Sequence, residues 1–477
     1  MRWHHAILAL APACDAITEG SLFNTTPAVL MACPGATAAT TCLTSAQYDA
    51  IVAAVRGQLE SLSESCTASD CPQADWAGCV LRMAGHDFMD FANGQGGSDA
   101  CTDMEDPENA GLPECLASGE HGKSLQEVYN QYCLDVSLAD FLVIAAEAVI
   151  ASTRARHEDA NPGAPHLDLR AAFKFGRQTA SSCDFAVGRL PNPERGCDAV
   201  DETFVQRMGL DWTQAAALMG VHTLGRAKVA NSGYHGWWSD PENSRRFNNN
   251  YYISLVAKGW TVERAISGNV NKNQWERSDT GRDTSVDGHE MMLNTDMCLA
   301  FAEREGPGPG RGPSTPVLAH EHQCCGWVTS DRISAAISSN GGDYCGGRAG
   351  GRLGDERDRC CGNENNDCGD PRNPDGPAAA AVLSFANDES AWVASFAAAW
   401  KIATENGHGA LRSLGDCSSS STSSGTSGTS GDAEGATSTT GSSSTVAEEA
   451  LATSTTDLSS TATISAWGLI VGLANFL

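Results

Sequence analysis

Basic side chains are scarce: 31 Lys and Arg stand against 59 Asp and Glu, a formal charge of −28 over 477 residues. That deficit excludes nucleic acid as a partner, because neutralising phosphates needs a basic face this chain does not have. Basic partners stay open, although a solvated acidic surface accounts for the same charge. Aromatics make up only 6% of the chain. Strand-like alternation is rare, which argues against a β-rich fold. Apolar residues reach 41%, while 49 glycines and 18 prolines indicate long irregular segments. The length itself suggests two or three units, at about 150 residues per domain.

Cysteine, by contrast, is abundant, with 19 in the chain, and this points to an oxidising compartment. Met1 and Arg2 precede a short apolar run, Ala6 to Ala13, which reads as a secretory signal over residues 1–16. Cleavage there removes Cys14 and leaves an even 18 cysteines. Asn24-Thr25-Thr26 is a glycosylation acceptor just inside the mature chain. Residues 417–463 are mostly Ser, Thr, Gly and Ala, too polar to offset their ordering entropy, and read as a disordered linker. The apolar tail 464–477 is shorter than the roughly 20 residues of a membrane span. It looks like a GPI-anchor signal, a weak membrane anchor or an uncleaved tail. The expected location is therefore secreted or at the cell surface.

Between these ends the pattern is helical. Tyr48 to Leu62, Trp76 to Phe91, Leu138 to Ile150, Val200 to Met208 and Thr213 to Leu218 carry apolar residues at spacings of three and four. Asp211 is placed to cap the run that follows it. From Ser390 to Thr404, Trp392, Phe396 and Trp400 recur every four residues, most simply a stripe facing the core. Segment 304–377 breaks the pattern with six cysteines among Gly, Pro and Arg, and reads as a disulfide-stapled insertion. Zinc is the other reading of such a cluster, but the spacings match no common finger.

Two histidines stand out. Arg82 and His86, four apart on a helix, project from one face. Taken alone, an arginine paired with a core acid and a satisfied interior histidine are the commoner explanation. His222 ends an apolar helix in Gly220-Val221-His222-Thr223-Leu224-Gly225-Arg226, where the two glycines allow a flat ligand to approach closely.

In order and flanks these motifs resemble the plant, fungal and bacterial haem peroxidase superfamily. The resemblance covers residues 45–303 and resumes at 385–407. It also rests on Asn109-Ala110-Gly111-Leu112, Val136 to Asp140, Phe175-Gly176-Arg177, Gly188 to Pro191 and Met291 to Asp296. Asn231 to Trp238 and Asn273 to Glu276 look most like the cytochrome c peroxidase branch. The resemblance implies a mainly α fold, two helical halves clamping haem b, with residues 17–303 as the peroxidase domain and 378–416 as its C-terminal helix. It implies His222 as iron ligand, Asp296 as acceptor of that ring's other proton, and Trp238 packed beside it. Arg82, His86 and Asn109 would face hydrogen peroxide, His86 as base, Arg82 stabilising charge and Asn109 orienting the imidazole. Arg226 would meet a haem propionate or else be a solvated arginine. No Cys-x-x-Cys-His occurs, so the haem would be held without covalent links. Asp87 and Asp99 would belong to a calcium site, weakened because Cys101 replaces a serine, and Thr223, with Ser239 and Asn248, to a second cation site.

Several positions depart from the family. Gly85 stands where relatives carry a bulky aromatic, and Asn231 where ascorbate peroxidases carry an arginine. Asp75, Cys79 and Lys228 occupy the places of a manganese-binding acidic trio. The donor is thus not legible. Two rivals accompany the peroxidase reading: a haem-binding surface protein with little catalysis, and a non-haem protein in which His86 and His222 hold zinc or copper.

Overall fold

The computed structural model describes residues 33–67, 69–116, 121–183, 186, 188–264, 266–269, 271–277, 290–301, 324–326 and 374–417. The signal, Asn24, the linker beyond residue 417, the tail and most of the 304–377 insertion lie outside the described residues. Among the described residues no helix is long and apolar enough to cross a membrane.

The principal helices are α1 (Ser45–Glu60), α2 (Pro72–Met89), α3 (Leu138–Ala160), α4 (Trp212–Met219), α5 (Asn250–Ala257), α6 (Asn294–Ala300), α7 (Ala379–Asn387) and α8 (Glu389–Glu405). Helix α3 is the central post: every residue from Leu138 to Ile150 is buried. A helix apolar on all sides must be enclosed by others, and α1 and α2 pack on it while α4 packs on α8. Local chemistry sets the starts. Thr44 and Gln47 form a capping box at α1, as do Asp211 and Gln214 at α4. Ser137 caps α3 by accepting from Asp140 N.

The expected mainly α class holds, with two departures. Residues Asp201–Arg207, inside the expected helix 200–208, widen to π geometry. A four-stranded antiparallel sheet is also present: β2 (Gly259–Arg264), β3 (Asn273–Arg277), β4 (Met291–Met292) and β5 (Cys324–Gly326), in the order β4-β3-β2-β5. The insertion thus contributes an edge strand to the domain. Too short to alternate visibly, these strands leave little trace in the sequence. A further pair, β1 (Lys174–Phe175) with β6 (Arg412–Ser413), ties the C-terminal end of the domain to its middle.

Among the described residues six disulfides join Cys33–Cys133, Cys42–Cys417, Cys66–Cys71, Cys79–Cys115, Cys101–Cys183 and Cys197–Cys298. These use every cysteine except Cys14 and the six of the insertion. Among the described residues no group of three or more His, Cys, Asp or Glu is arranged to hold a metal; the cysteine cluster read as disulfides or zinc lies outside them apart from Cys324 and Cys325.

Candidate active site

Helix α2 carries the first group of site residues. His86 Nδ1 lies 2.7 Å from Asn109 Oδ1 and Arg82 Nε donates to His86 Nε2 at 3.2 Å. The amide Nδ2 of Asn109 donates to Asp103 O at 2.7 Å, which turns its oxygen toward the imidazole. Nδ1 is therefore the protonated nitrogen and Nε2 the basic one. Arg82 is held from the other side, donating to Ala110 O and Glu108 O, each at 2.6 Å. Burial, and then the charge of Arg82, push the His86 imidazole down to about 3, against the Asn109 hydrogen bond. Burial also lowers Arg82 to about 10. At neutral pH the pair is a cation beside a neutral base. A cleft runs beside His86, lined by Asp90, Thr102, Asn109 and Leu190.

The second group gathers on Asp296, a carboxylate with 0% exposure. His222 Nδ1 and Tyr251 Oη both lie 2.8 Å from its Oδ1. Trp238 Nε1 and the Leu293 amide donate to Oδ2, each at 2.8 Å. Burial works against its charge, but His222 and these hydrogen bonds outweigh it and hold the carboxyl below its usual range. The Trp238 ring stacks on His222 at 4.5 Å and 24°. With Nδ1 committed to Asp296, Nε2 of the half-buried His222 is the nitrogen left with its lone pair, the donor a haem iron requires. The residues present fit the group.

The segments bearing the two histidines come closest at Gly78 and Gly225. A Cβ on Gly225 would stand 2.9 Å from Gly78 Cα, and Gly225 has φ +78. His86 lies eight residues beyond Gly78 on α2, about 12 Å along the axis, and His222 lies three before Gly225. The expectation that Gly225 and Gly220 make room for a flat ligand is corrected here. Gly225 makes room for the α2 backbone, while a Cβ on Gly220 would stand 2.4 Å from Tyr252 Oη and 2.7 Å from Trp392 Nε1. Arg226 is corrected as well. Its guanidinium, with 2% side-chain exposure, grips Asp75 at 2.8 Å and lies over the Trp237 ring at 4.9 Å. It is not a solvated arginine, and its partner is a carboxylate of α2. Lys228 reaches the same Asp75 at 3.1 Å.

The acids behind His86 are knit into a loop. Asp87 accepts from the Ala100 and Cys101 amides, and Asp99 accepts from Cys101 N at 3.0 Å. Cys101, the residue expected to weaken a calcium site, is bonded to Cys183. Burial and mutual repulsion raise Asp87 well above its usual range, and burial first raises Asp90 to about 8 and Asp99 to about 6. On the other side Thr223 donates to Asn248 Oδ1 at 3.0 Å, and Ser239 O accepts from the ammonium of buried Lys258 at 3.2 Å. A lysine thus supplies positive charge in that corner.

The dispersed motifs also meet. Asp140 binds Arg177 at 2.9 Å and the Gly176 amide at 2.8 Å, and Trp275 Nε1 donates to Asn294 Oδ1 at 2.8 Å. Sequence reasoning missed Tyr251 and Gly78. The tandem tyrosines of α5 were the only available sign of the first, and nothing local marks the second.

Comparison with known proteins agrees with this geometry. The family model described as Peroxidase matches residues 55–305. The chain belongs to the peroxidase family. Among curated relatives, a "Putative heme-binding peroxidase" of Pyricularia oryzae is 32% identical over 47% of this chain and 68% of its own length. A mitochondrial cytochrome c peroxidase of Candida albicans is 31% identical over 47% of this chain and 55% of its own. A peroxisomal L-ascorbate peroxidase of Arabidopsis thaliana is 31% identical over 38% of this chain and 58% of its own. The member described here is thus a haem peroxidase, an oxidoreductase dependent on hydrogen peroxide.

Proposed function

We propose that the protein works in an oxidising compartment, secreted or at the cell surface, and couples peroxide reduction to one-electron oxidations of an organic or protein donor. When bound, haem supplies the iron and porphyrin that take up the two oxidising equivalents of the peroxide. His222 would hold the iron through Nε2, while Asp296 keeps the ring's other proton and makes it a stronger donor. His86, neutral and with Nε2 basic, takes a proton from one peroxide oxygen and returns it to the other. That proton displaces the Arg82 N–H now donating to Nε2. Arg82, braced by two loop carbonyls, stabilises the charge that develops on the departing oxygen. Asn109 keeps the imidazole in the required tautomer.

The observation that carries this reading is the opposite treatment of the two histidines: one is bound to a buried anion, the other to a neutral amide and a cation. Six disulfides support the oxidising compartment. The Trp238 ring, stacked on His222 and bonded to Asp296, supports electron delivery from the His222 side. An absorption spectrum of the haem-loaded protein before and after one equivalent of hydrogen peroxide tests the reading. A shifted Soret band that a phenolic donor restores in two steps is expected. An unmoved band would leave a haem-binding protein without the activity.

A further inference from the structure

The Trp392, Phe396 and Trp400 stripe of α8 has no part in the chemistry above, yet it is joined to it. Tyr251, which shares Asp296 with His222, meets that ring edge-on at 5.9 Å. Tyr252 follows at 5.0 Å and Trp392 at 5.8 Å. Phe396 lies 5.9 Å beyond, and Trp400 stacks on Phe396 at 5.8 Å. Trp400 Nε1 donates to Glu147 Oε1 at 3.0 Å, and the opposite oxygen of Glu147 accepts from Tyr48 Oη at 2.6 Å. Every ring in the series is buried.

Packing alone does not call for this composition. Leucine or phenylalanine fills a core without polar atoms, whereas each buried Tyr and Trp here needs an acceptor. The acceptors are supplied: Asp296 for Tyr251, Ala217 O for both Tyr252 and Trp392, and Glu147 for Trp400 and Tyr48. A carboxylate enclosed in an apolar core is costly, and burial raises Glu147 to about 7. Its two oxygens each serve an oxidisable ring. That is the arrangement a tyrosine needs to lose an electron, because the proton must leave with it.

We propose that the Tyr251–Tyr252–Trp392–Phe396–Trp400 series carries oxidising equivalents from the His222 side to a Trp400–Glu147–Tyr48 station, which serves as a second oxidation site. This rests on the haem peroxidase reading. Hydrogen peroxide accepts two electrons and two protons and leaves as two waters. The station turns over twice per peroxide: each time one electron leaves Tyr48 through Trp400, the Tyr48 O–H bond breaks and its proton passes to Glu147 Oε2. A phenolic donor then returns the electron, Glu147 returns the proton, and the donor releases its own proton to solvent. Phe396 is not oxidised. It bridges Trp392 and Trp400, eight residues and roughly 12 Å apart along α8. The donor approaches through a cleft lined by Glu147, Phe173, Lys174, Trp400 and Lys401.

The test is freeze-quench electron paramagnetic resonance of the haem-loaded protein after one equivalent of hydrogen peroxide, without donor. It is done in a Trp238→Phe background, so that the ring stacked on His222 cannot hold the radical. A tyrosyl signal is expected, lost on adding Tyr48→Phe, Trp400→Phe or Glu147→Gln. With a nitroso spin trap, peptide mass spectrometry should find the adduct on Tyr48. A signal unchanged in Tyr48→Phe and Glu147→Gln overturns the relay, and these near-isosteric changes decide the matter even if Trp400→Phe fails to fold. A Soret band indifferent to peroxide overturns the peroxidase reading instead. A band that responds, with no radical at Tyr48 or Trp400, overturns the relay alone.

Discussion

The two sides of the site handle one residue type in opposite ways. His222 faces a buried carboxylate that collects four hydrogen bonds, which fixes the ring and makes it a stronger donor. His86 faces Arg82 and an amide, so a second positive charge there is opposed. A permanent metal ligand gains from an electron-rich, fixed imidazole, while a proton carrier must begin neutral. In the proposed function the neighbours, and not the histidines, assign the roles.

The sharpest way to break the contrast is His86→Leu. Reaction with peroxide, followed by stopped-flow absorbance, should slow by at least the 10² to 10⁴ typical of a lost general base, with haem retained. Next comes Asp296→Asn, which keeps the shape but removes the anion. Haem retention or activity should fall about 10- to 100-fold, as for other partners of metal-bound histidines, measured by haem transfer to apomyoglobin.

The pH dependence should sharpen the comparison. With His86 lowered to about 3, its base form persists far below the ordinary imidazole range near 6.5. The peroxide rate should therefore stay level from neutrality down to about pH 4, where an unperturbed histidine would already have lost it. Stability follows by linkage. The unfolded chain binds the His86 proton below about 6.5 and the native one does not, so this group's contribution is lost as pH falls toward about 3. Asp90 has the opposite sign: raised to about 8, its native carboxyl holds a proton the unfolded chain has released, and stability is lost as pH rises toward 8. Asp90→Asn should raise the Tm at pH 8 by a few degrees and have little effect at pH 4, as calorimetry would show.

The smallest effect contrasts two glycines. A Cβ on Gly85 meets only Met89 Cε at 3.9 Å, so Gly85→Ala should stabilise α2 by about 0.5 to 1 kcal/mol in denaturant titrations. Gly225→Ala, at positive φ and against Gly78, should destabilise by more than that gain.

Much of the site is legible in the sequence because its signals are local. Arg82 and His86 share a face by helical spacing, and Asp211 announces the helix Trp212–Met219, whose 3-10 extension Gly220–Thr223 carries His222. The expected helices at 48–62, 76–91 and 390–404 match α1, α2 and α8 to within a few residues. Helix α5 and the small sheet escaped notice, the first because its eight residues lack a polar face and the second because its strands are two to six residues long.

By itself, then, the sequence determined the mainly α class, the family and the two histidines with their immediate neighbours. Tertiary structure decided what lies far apart along the chain. It paired Cys42 with Cys417 across 375 residues, set Gly78 against Gly225, turned Arg226 onto Asp75, and brought Glu147 between Tyr48 and Trp400. Periodicity reports which face of a helix is buried. Which partner fills that face depends on packing between distant segments, and no local pattern encodes it.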